Sequence, residues 1–206
     1  MTQLTFYTNP MSRGRIVRWM LEEIGVPYEA KVLDYGTTMK SAEYLAVNPM
    51  GKVPAIVHDG VVVTESAAIC AYLADAFPTA GLLPQTPAEK AAYYRWLFFA
   101  AGPVEQAIGL KMLNVEMTEQ WQKSFGCGKP EDTFSNLAQA LGKTPYICGE
   151  RFTAADVYVG SHIGFGMQFG GLPKLPEFVA YWERISQRPA KLKADEIDNA
   201  LMVAAQ

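Results

Sequence analysis

The chain has 206 residues, 50% of them hydrophobic and 19% charged, with a formal net charge of −3. That length holds one large domain or two small ones around a real core. Slight acidity without a basic block disfavours nucleic acid, no apolar stretch approaches the roughly 20 residues of a membrane span, and the N-terminus lacks the charged-then-apolar pattern of a signal peptide.

In chain order, residues 3–8 (QLTFYT) alternate as a first strand, which Asn9-Pro10 breaks. From Ser12 a helix pattern begins: Ile16, Trp19, Met20 and Ile24 recur at helical spacing, and Gly25 followed by Pro27 stops it. Residues 28–33 (YEAKVL) read as a second strand, and 42–46 as a short helical piece. Residues 48–69 (NPMGKVPAIVHDGVVVTESAAI) say most. An apolar run follows Pro54, His58-Asp59-Gly60 offers a turn, Val61-Val62-Val63 is a second run, and Thr64-Glu65-Ser66 opens a helix reaching Phe77. The order is β-α-β-α-β-β-α, with the first two strands expected to pair in parallel. A proline before a strand belongs at its first residue or at an edge. A cis Val53–Pro54 bond, if present, turns the Val53 backbone outward with its N–H and C=O free. Such groups beside a helix N-terminus suit an extended peptide that bears a carboxylate.

Residues 78–87 hold three prolines and one glycine and read as a linker. Beyond it strand signals nearly vanish. Residues 88–112 form a long helical stretch bent at Gly102-Pro103, and further helices are predicted over 130–141, 153–165 and 175–187. Thr153-Ala-Ala-Asp156 is a capping-box variant, a folding signal. Of the three cysteines, Cys70 and Cys148 read as buried, and Cys127, between two glycines, as exposed. Their odd number, without metal-like or Cys-x-x-Cys spacing, points to reduced thiols in the cytoplasm, no metal, and no thioredoxin-type disulfide reduction. Gly51-Lys52 lacks the upstream glycine of a phosphate loop.

Together the opening FYTNPMSRGRIVRWMLEEIGVPYE, the block NPMGKVPAIVHDG, the helix start TESAAICAYLAD, the proline-rich linker and the box FTAADV resemble the cytosolic glutathione S-transferase family, bacterial type, over nearly the whole chain. The resemblance implies an α/β plus all-α fold: a thioredoxin-like domain (βαβαββα) at residues 1–80 with a cis Pro54, a linker at 81–87 and an all-helical domain at 88–206. It also implies a cytoplasmic homodimer, glutathione as cosubstrate, no metal, and a pocket for small hydrophobic electrophiles between the domains. The implied activity is conjugation of the detoxification type. Rival readings are a glutathione-dependent peroxidase and a non-catalytic glutathione- or ligand-binding protein of the same fold.

The family's site carries over residue by residue. Glu65 would face the ammonium of the γ-glutamyl end, and the Ser66 N–H and hydroxyl its carboxylate, unless Ser66 is simply a helix cap. Val53, before Pro54, would pair its backbone with the cysteinyl part. Lys52 and Lys40 would meet the glycine carboxylate, although Lys40 reads equally as a solvated loop lysine. A free thiol has a pKa of about 8.5, and one hydrogen bond to a charged sulfur, about 1.5–3 kcal/mol, supplies one to two units of lowering. Ser12 is the candidate donor, and the N-cap of the first helix is its other role. Tyr7, Asn9 and Arg13 are further donors, Tyr7 being equally a core residue. Met11, Phe99 and Met112 are candidates for the electrophile pocket, although such apolar stripes more often build cores. Glu105 is a further candidate to reach glutathione from a partner copy.

Overall fold

The computed structural model describes residues 3–204. Four strands, β1 (Leu4–Thr8), β2 (Glu29–Val32), β3 (Ala55–His58) and β4 (Val61–Thr64), form one mixed sheet in the order β2-β1-β3-β4. The first two pair in parallel, Thr8 beside Val32, as the β-α-β pattern predicts. β3 runs antiparallel to both β1 and β4, and Tyr7, Ala55 and Thr64 lie in register across three strands. The helices of this unit are α1 (Gly14–Ile24), the short α2 (Ala42–Leu45) and α3 (Ser66–Ala76). α1 buries Ile16, Val17, Trp19, Met20 and Leu21, and stops at Gly25, whose φ of 68° is left-handed. The fold is the expected thioredoxin-like arrangement.

The second unit is helical: α4 (Pro87–Phe99), α5 (Glu105–Met112), α6 (Glu119–Ser124), α7 (Pro130–Leu141), α8 (Ala154–Phe169) and α9 (Pro176–Ser186). A last helix, α10 (Pro189–Ala204), follows. The expected division at 1–80, 81–87 and 88–206 needs correction at its end. The described residues up to Gly81 group with those from Arg188 onward, and Leu82–Gln187 form the second unit by themselves. Residues 1, 2, 205 and 206 of the expected domains lie outside the described residues.

The reason is charge complementarity along α1. Its basic first half meets acidic residues in the middle of α10: Arg15 binds Asp195 at 3.2 Å and Arg18 binds Asp198 at 3.0 Å. Its acidic second half meets basic residues where α10 begins: Glu23 binds Arg188 at 2.6 Å and Glu22 binds Lys193 at 2.7 Å. Arg18 is 2% exposed and Asp198 1%, so their pairing is enclosed, with Arg18 also reaching the Tyr28 hydroxyl at 3.1 Å and lying over the Phe6 ring. Breaking one side of such a buried pair is far costlier than breaking a surface one. α10 is not among the helices that the sequence predicts, since its apolar stripe is narrow and interrupted by these charges.

Within the second unit the expected bend at Gly102-Pro103 is a π-helical turn, Ala100–Val104, with Pro103 inside it. α6 was not expected. Cys127 is buried at 4% exposure, against the reading from its flanking glycines: its N–H bonds Gln106 and its carbonyl accepts from Thr133. Asp156 is a folding residue, 0% exposed, whose carboxylate accepts from the Thr153 and Ile147 N–H groups, both at 2.8 Å, and from the Tyr181 hydroxyl at 2.8 Å. Burial still pushes its carboxyl above the ordinary carboxylate range.

α4 opens on Thr86, which caps the Glu89 N–H at 3.1 Å, and the Glu89 carboxylate accepts from Arg151 at 2.9 Å and from the Gln85 N–H at 2.6 Å. Arg151 first, then Gln85, hold the Glu89 carboxyl down to about 2 from the ordinary 4.5. A carboxylate with a depressed folded pKa stabilises the fold above its unfolded pKa and stops doing so as pH falls toward the folded one. The stability gap between wild type and Glu89→Gln, measured by urea unfolding, is therefore expected to be full above pH 4.5 and to close progressively toward pH 2. A gap constant across that range would contradict this pairing.

Candidate functional site

The register decides where the candidate residues meet. Tyr7 pairs with Ala55 and Ala55 with Thr64, so the exit of β1, the entry of β3 and the exit of β4 share one end of the sheet. The turn carrying Asn9 to Ser12, the Val53-Pro54 dipeptide and the Glu65-Ser66 dipeptide all leave from that end. The Val53–Pro54 bond is cis.

The turn after β1 is tightly held. Asn9, buried, donates from Nδ2 to the Leu33 carbonyl at 2.8 Å and accepts the Met11 N–H at 2.9 Å. Its carbonyl accepts both the Ser12 N–H at 3.0 Å and the Ser12 hydroxyl at 2.7 Å. The Ser12 oxygen in turn accepts the Gly14 N–H at 2.9 Å. Ser12 thus ties the entrance of α1 together, the capping role its position suggests, with Arg13 at the N-cap position proper. Gly14 matters here although the sequence did not single it out. A Cβ at Gly14 would stand 2.1 Å from Thr8 Oγ1 and 2.9 Å from Ser12 Oγ, so only glycine lets the helix start so close to the end of β1. Tyr7 faces the other way: its ring packs at 5.2 Å from that of Tyr44, in a cluster with Met39 and Ala55.

The segment before Pro54 is braced from beneath. The Lys52 carbonyl accepts from the Tyr44 hydroxyl at 2.6 Å and from Asn48 Nδ2 at 2.8 Å. Burial pushes the Tyr44 phenol up to about 12, so it remains a donor at neutral pH. Lys40 folds back and donates to the Met50 carbonyl at 3.0 Å and the Gly51 carbonyl at 2.9 Å, which makes it a loop brace. Gly51, at φ 56°, has no room for a side chain: a Cβ would lie 2.7 Å from the Met39 carbonyl. Both lysines are exposed, but with Lys40 so engaged, Lys52 is the one that no partner holds among the described residues. The Val53 N–H and C=O likewise have no partner among the described residues. Tyr44 and Asn48 are not among the residues singled out by sequence, where their four-residue spacing at the end of a short helix is the available signal.

Glu65 sits at φ 68° and ψ 119°, a left-handed backbone that costs a non-glycine residue about 1–3 kcal/mol. Strain of this kind gathers at ligand-binding positions. Ser66, 8% exposed, is the first residue of α3, and no side chain caps that helix. Its first N–H groups are thus available to an anion.

Met11 is 75% exposed at the tip of the turn after β1. In the second unit Phe99 ends α4 with its ring 5.4 Å from that of Trp96, and Met112, 54% exposed, ends α5 against Gly171. A cavity of about 700 Å³ in this unit is lined by Phe134, Ala138, Leu172 and Leu175, and neither Phe99 nor Met112 lines it. Glu105 binds the buried His162 through Oε2 at 2.7 Å. No group of three or more His, Cys, Asp or Glu stands in metal-ligating proximity among the described residues.

The N-terminal domain of glutathione S-transferases matches residues 11–76, and their C-terminal domain residues 128–189. Glutathione S-transferase 3 of Schizosaccharomyces pombe is 34% identical over 210 residues, which cover 92% of this chain and 86% of that protein. A glutathione transferase structure from Methylococcus capsulatus superposes with a TM-score of 0.79 at 29% identity, over 96% of this chain and 99% of that one. A family member from Pseudomonas fluorescens, solved with two glutathione bound, gives 0.75 at 28% identity, over 94% and 92%. The chain belongs to the glutathione S-transferase family.

The brace under Lys52 can be tested. A double variant Tyr44→Phe/Asn48→Ala leaves the Lys52 carbonyl without its side-chain donors. It is expected to lose about 1–3 kcal/mol in urea unfolding and to bind glutathione more weakly, since Val53 is the next residue. Glutathione affinity equal to wild type would show that the brace does not position Val53.

Proposed function

We propose that this glutathione transferase holds glutathione along the end of its sheet, ionises the thiol against the Ser12 hydroxyl, and conjugates it to small hydrophobic electrophiles in detoxification. What carries the reading is the meeting, at one sheet end, of a free Val53 backbone, an uncapped α3 N-terminus with strained Glu65, and a hydroxyl at the start of α1. In this reading Val53, with Pro54 fixing its direction, pairs with the cysteinyl unit. Glu65 takes the ammonium, and Ser66 with the α3 N-terminus takes the γ-glutamyl carboxylate. Lys52 meets the glycine carboxylate, with Lys40 shaping its loop. Met11 offers an exposed apolar contact to the electrophile.

Ser12 must turn its hydrogen from the Asn9 carbonyl toward the sulfur. That carbonyl keeps the Ser12 N–H at 3.0 Å, so it is not orphaned, and the exchange costs about 1 kcal/mol. A hydrogen bond to a charged sulfur returns about 1.5–3 kcal/mol. The net gain of about 0.5–2 kcal/mol lowers the thiol pKa by about 0.4–1.5 units. Tyr7 is the weaker candidate because its ring is packed against Tyr44.

We also infer a homodimer in the cytoplasm. Exposed Val61, Val62, Tyr94 and Phe98 support the first, and three cysteines without a disulfide support the second.

Two substitutions separate the chemical step from binding. Ser12→Ala is expected to cut kcat/KM toward an activated aryl halide about tenfold at neutral pH, with glutathione affinity changed less than about threefold. Glu65→Ala is expected to weaken glutathione binding about tenfold or more in calorimetric titration, because it removes a charge-assisted contact. Unchanged turnover in the first, or unchanged affinity in the second, would overturn that residue's role.

A further inference from the structure

Arg15 lies on the second position of α1, one helical step beyond the Ser12 turn, and it grips that turn twice. Its backbone N–H donates to the Ser12 carbonyl at 3.2 Å, and its guanidinium Nη1 approaches the Pro10 carbonyl at 3.4 Å. The same guanidinium is seated on α10. Nη2 donates to Asn199 Oδ1 at 2.9 Å and Asp195 Oδ1 at 3.2 Å, and Nη1 lies 3.7 Å from the Met202 sulfur. The side chain is only 18% exposed, so these contacts set its direction. A planar guanidinium presents its donors in a rigid fork, which lets one group bridge two elements in fixed geometry.

Neighbouring charges do not replace this bridge. Lys191 of α10 binds the second oxygen of Asp195, and Arg18, the other arginine of α1 facing α10, is committed to Asp198 and Tyr28. The Pro10 carbonyl has the Arg15 guanidinium as its side-chain donor, and the Met11 carbonyl has the Tyr35 hydroxyl, at 3.4 Å. The turn is thus held on one flank by the loop after β2, through Leu33 and Tyr35, and on the other by α10 through Arg15.

We propose that Arg15 is a positioning residue for the Ser12 hydroxyl, and that α10 is the base on which it stands. The last helix of the chain then sets the geometry of a donor near its beginning. The inference rests on the reading of Ser12 as the thiolate donor.

The test compares Arg15→Ala, Arg15→Lys, Asn199→Ala and Ser12→Ala by kcat and KM for glutathione against pH, with thiolate absorbance of the bound glutathione on the same samples. Arg15→Ala is expected to raise the bound thiol pKa by about half a unit, an approximately threefold loss of thiolate below neutral pH. The loss should appear in kcat, recover at alkaline pH, and leave KM for glutathione within about twofold. Asn199→Ala, which touches neither turn nor ligand, should shift the profile in the same direction by less. Arg15→Lys should restore part of the shift. If Ser12→Ala moves the thiol pKa while Arg15→Ala and Asn199→Ala do not, the Arg15 inference is wrong and the Ser12 reading stands. If Ser12→Ala moves nothing, both fall. Should Arg15→Ala not fold, the Asn199→Ala profile decides alone.

Discussion

Tyr7, Ala55 and Thr64 stand side by side across three strands, and the candidate site hangs from that row. Within two residues of it on each strand, the chain leaves the sheet: into the Ser12 turn, from Pro54, and into Glu65. A slip of one residue would turn each side chain of the slipped strand to the opposite face and separate these exits. Burial guards against the slip, since Leu4, Phe6, Ala55 and Ile56 are all at most 3% exposed. The hydrophobic pattern that folds the sheet is therefore the same pattern that assembles the site.

Around that row the structure keeps backbone groups in deliberate states of use. Asn9, Tyr44, Asn48 and Lys40 donate to the carbonyls that shape the loops, whereas Val53 and the start of α3 remain available. Glu65 is held in a strained backbone at this point rather than relaxed. The charged contacts of α10 against α1 supply a second layer of support, and Arg15 joins that layer to the turn. The enclosed Arg18–Asp198 pair makes this docking specific, because each charge left alone in that place would be costly.

The elements that sequence made legible are those with strong local grammar. Apolar runs on either side of Asp59-Gly60 marked the hairpin, and Gly25 marked the end of α1. The Thr153-to-Asp156 box marked the start of α8, where Asp156 does accept the Thr153 N–H. The proposed glutathione contacts Glu65 and Ser66 were legible only through family resemblance, since Glu-Ser before a helix is common in isolation. What stayed hidden depended on distant partners. α10 belongs with the first unit because Asp195 and Asp198 find arginines about 180 residues away in sequence. Gly14 needs to be glycine because of Thr8, and Cys127 is buried because Gln106 and Thr133 close over it. Such facts follow from tertiary contact and leave no periodic trace.

The central claim is that this sheet end binds glutathione and ionises it. It is tested most directly by thiolate absorbance of glutathione saturating the wild-type protein, followed against pH, with saturation established by calorimetry. The account predicts one-step binding below millimolar concentration and a thiol midpoint about one unit under the free value of about 8.5. Saturated binding with the midpoint of free glutathione, or no binding at millimolar concentration, would contradict it.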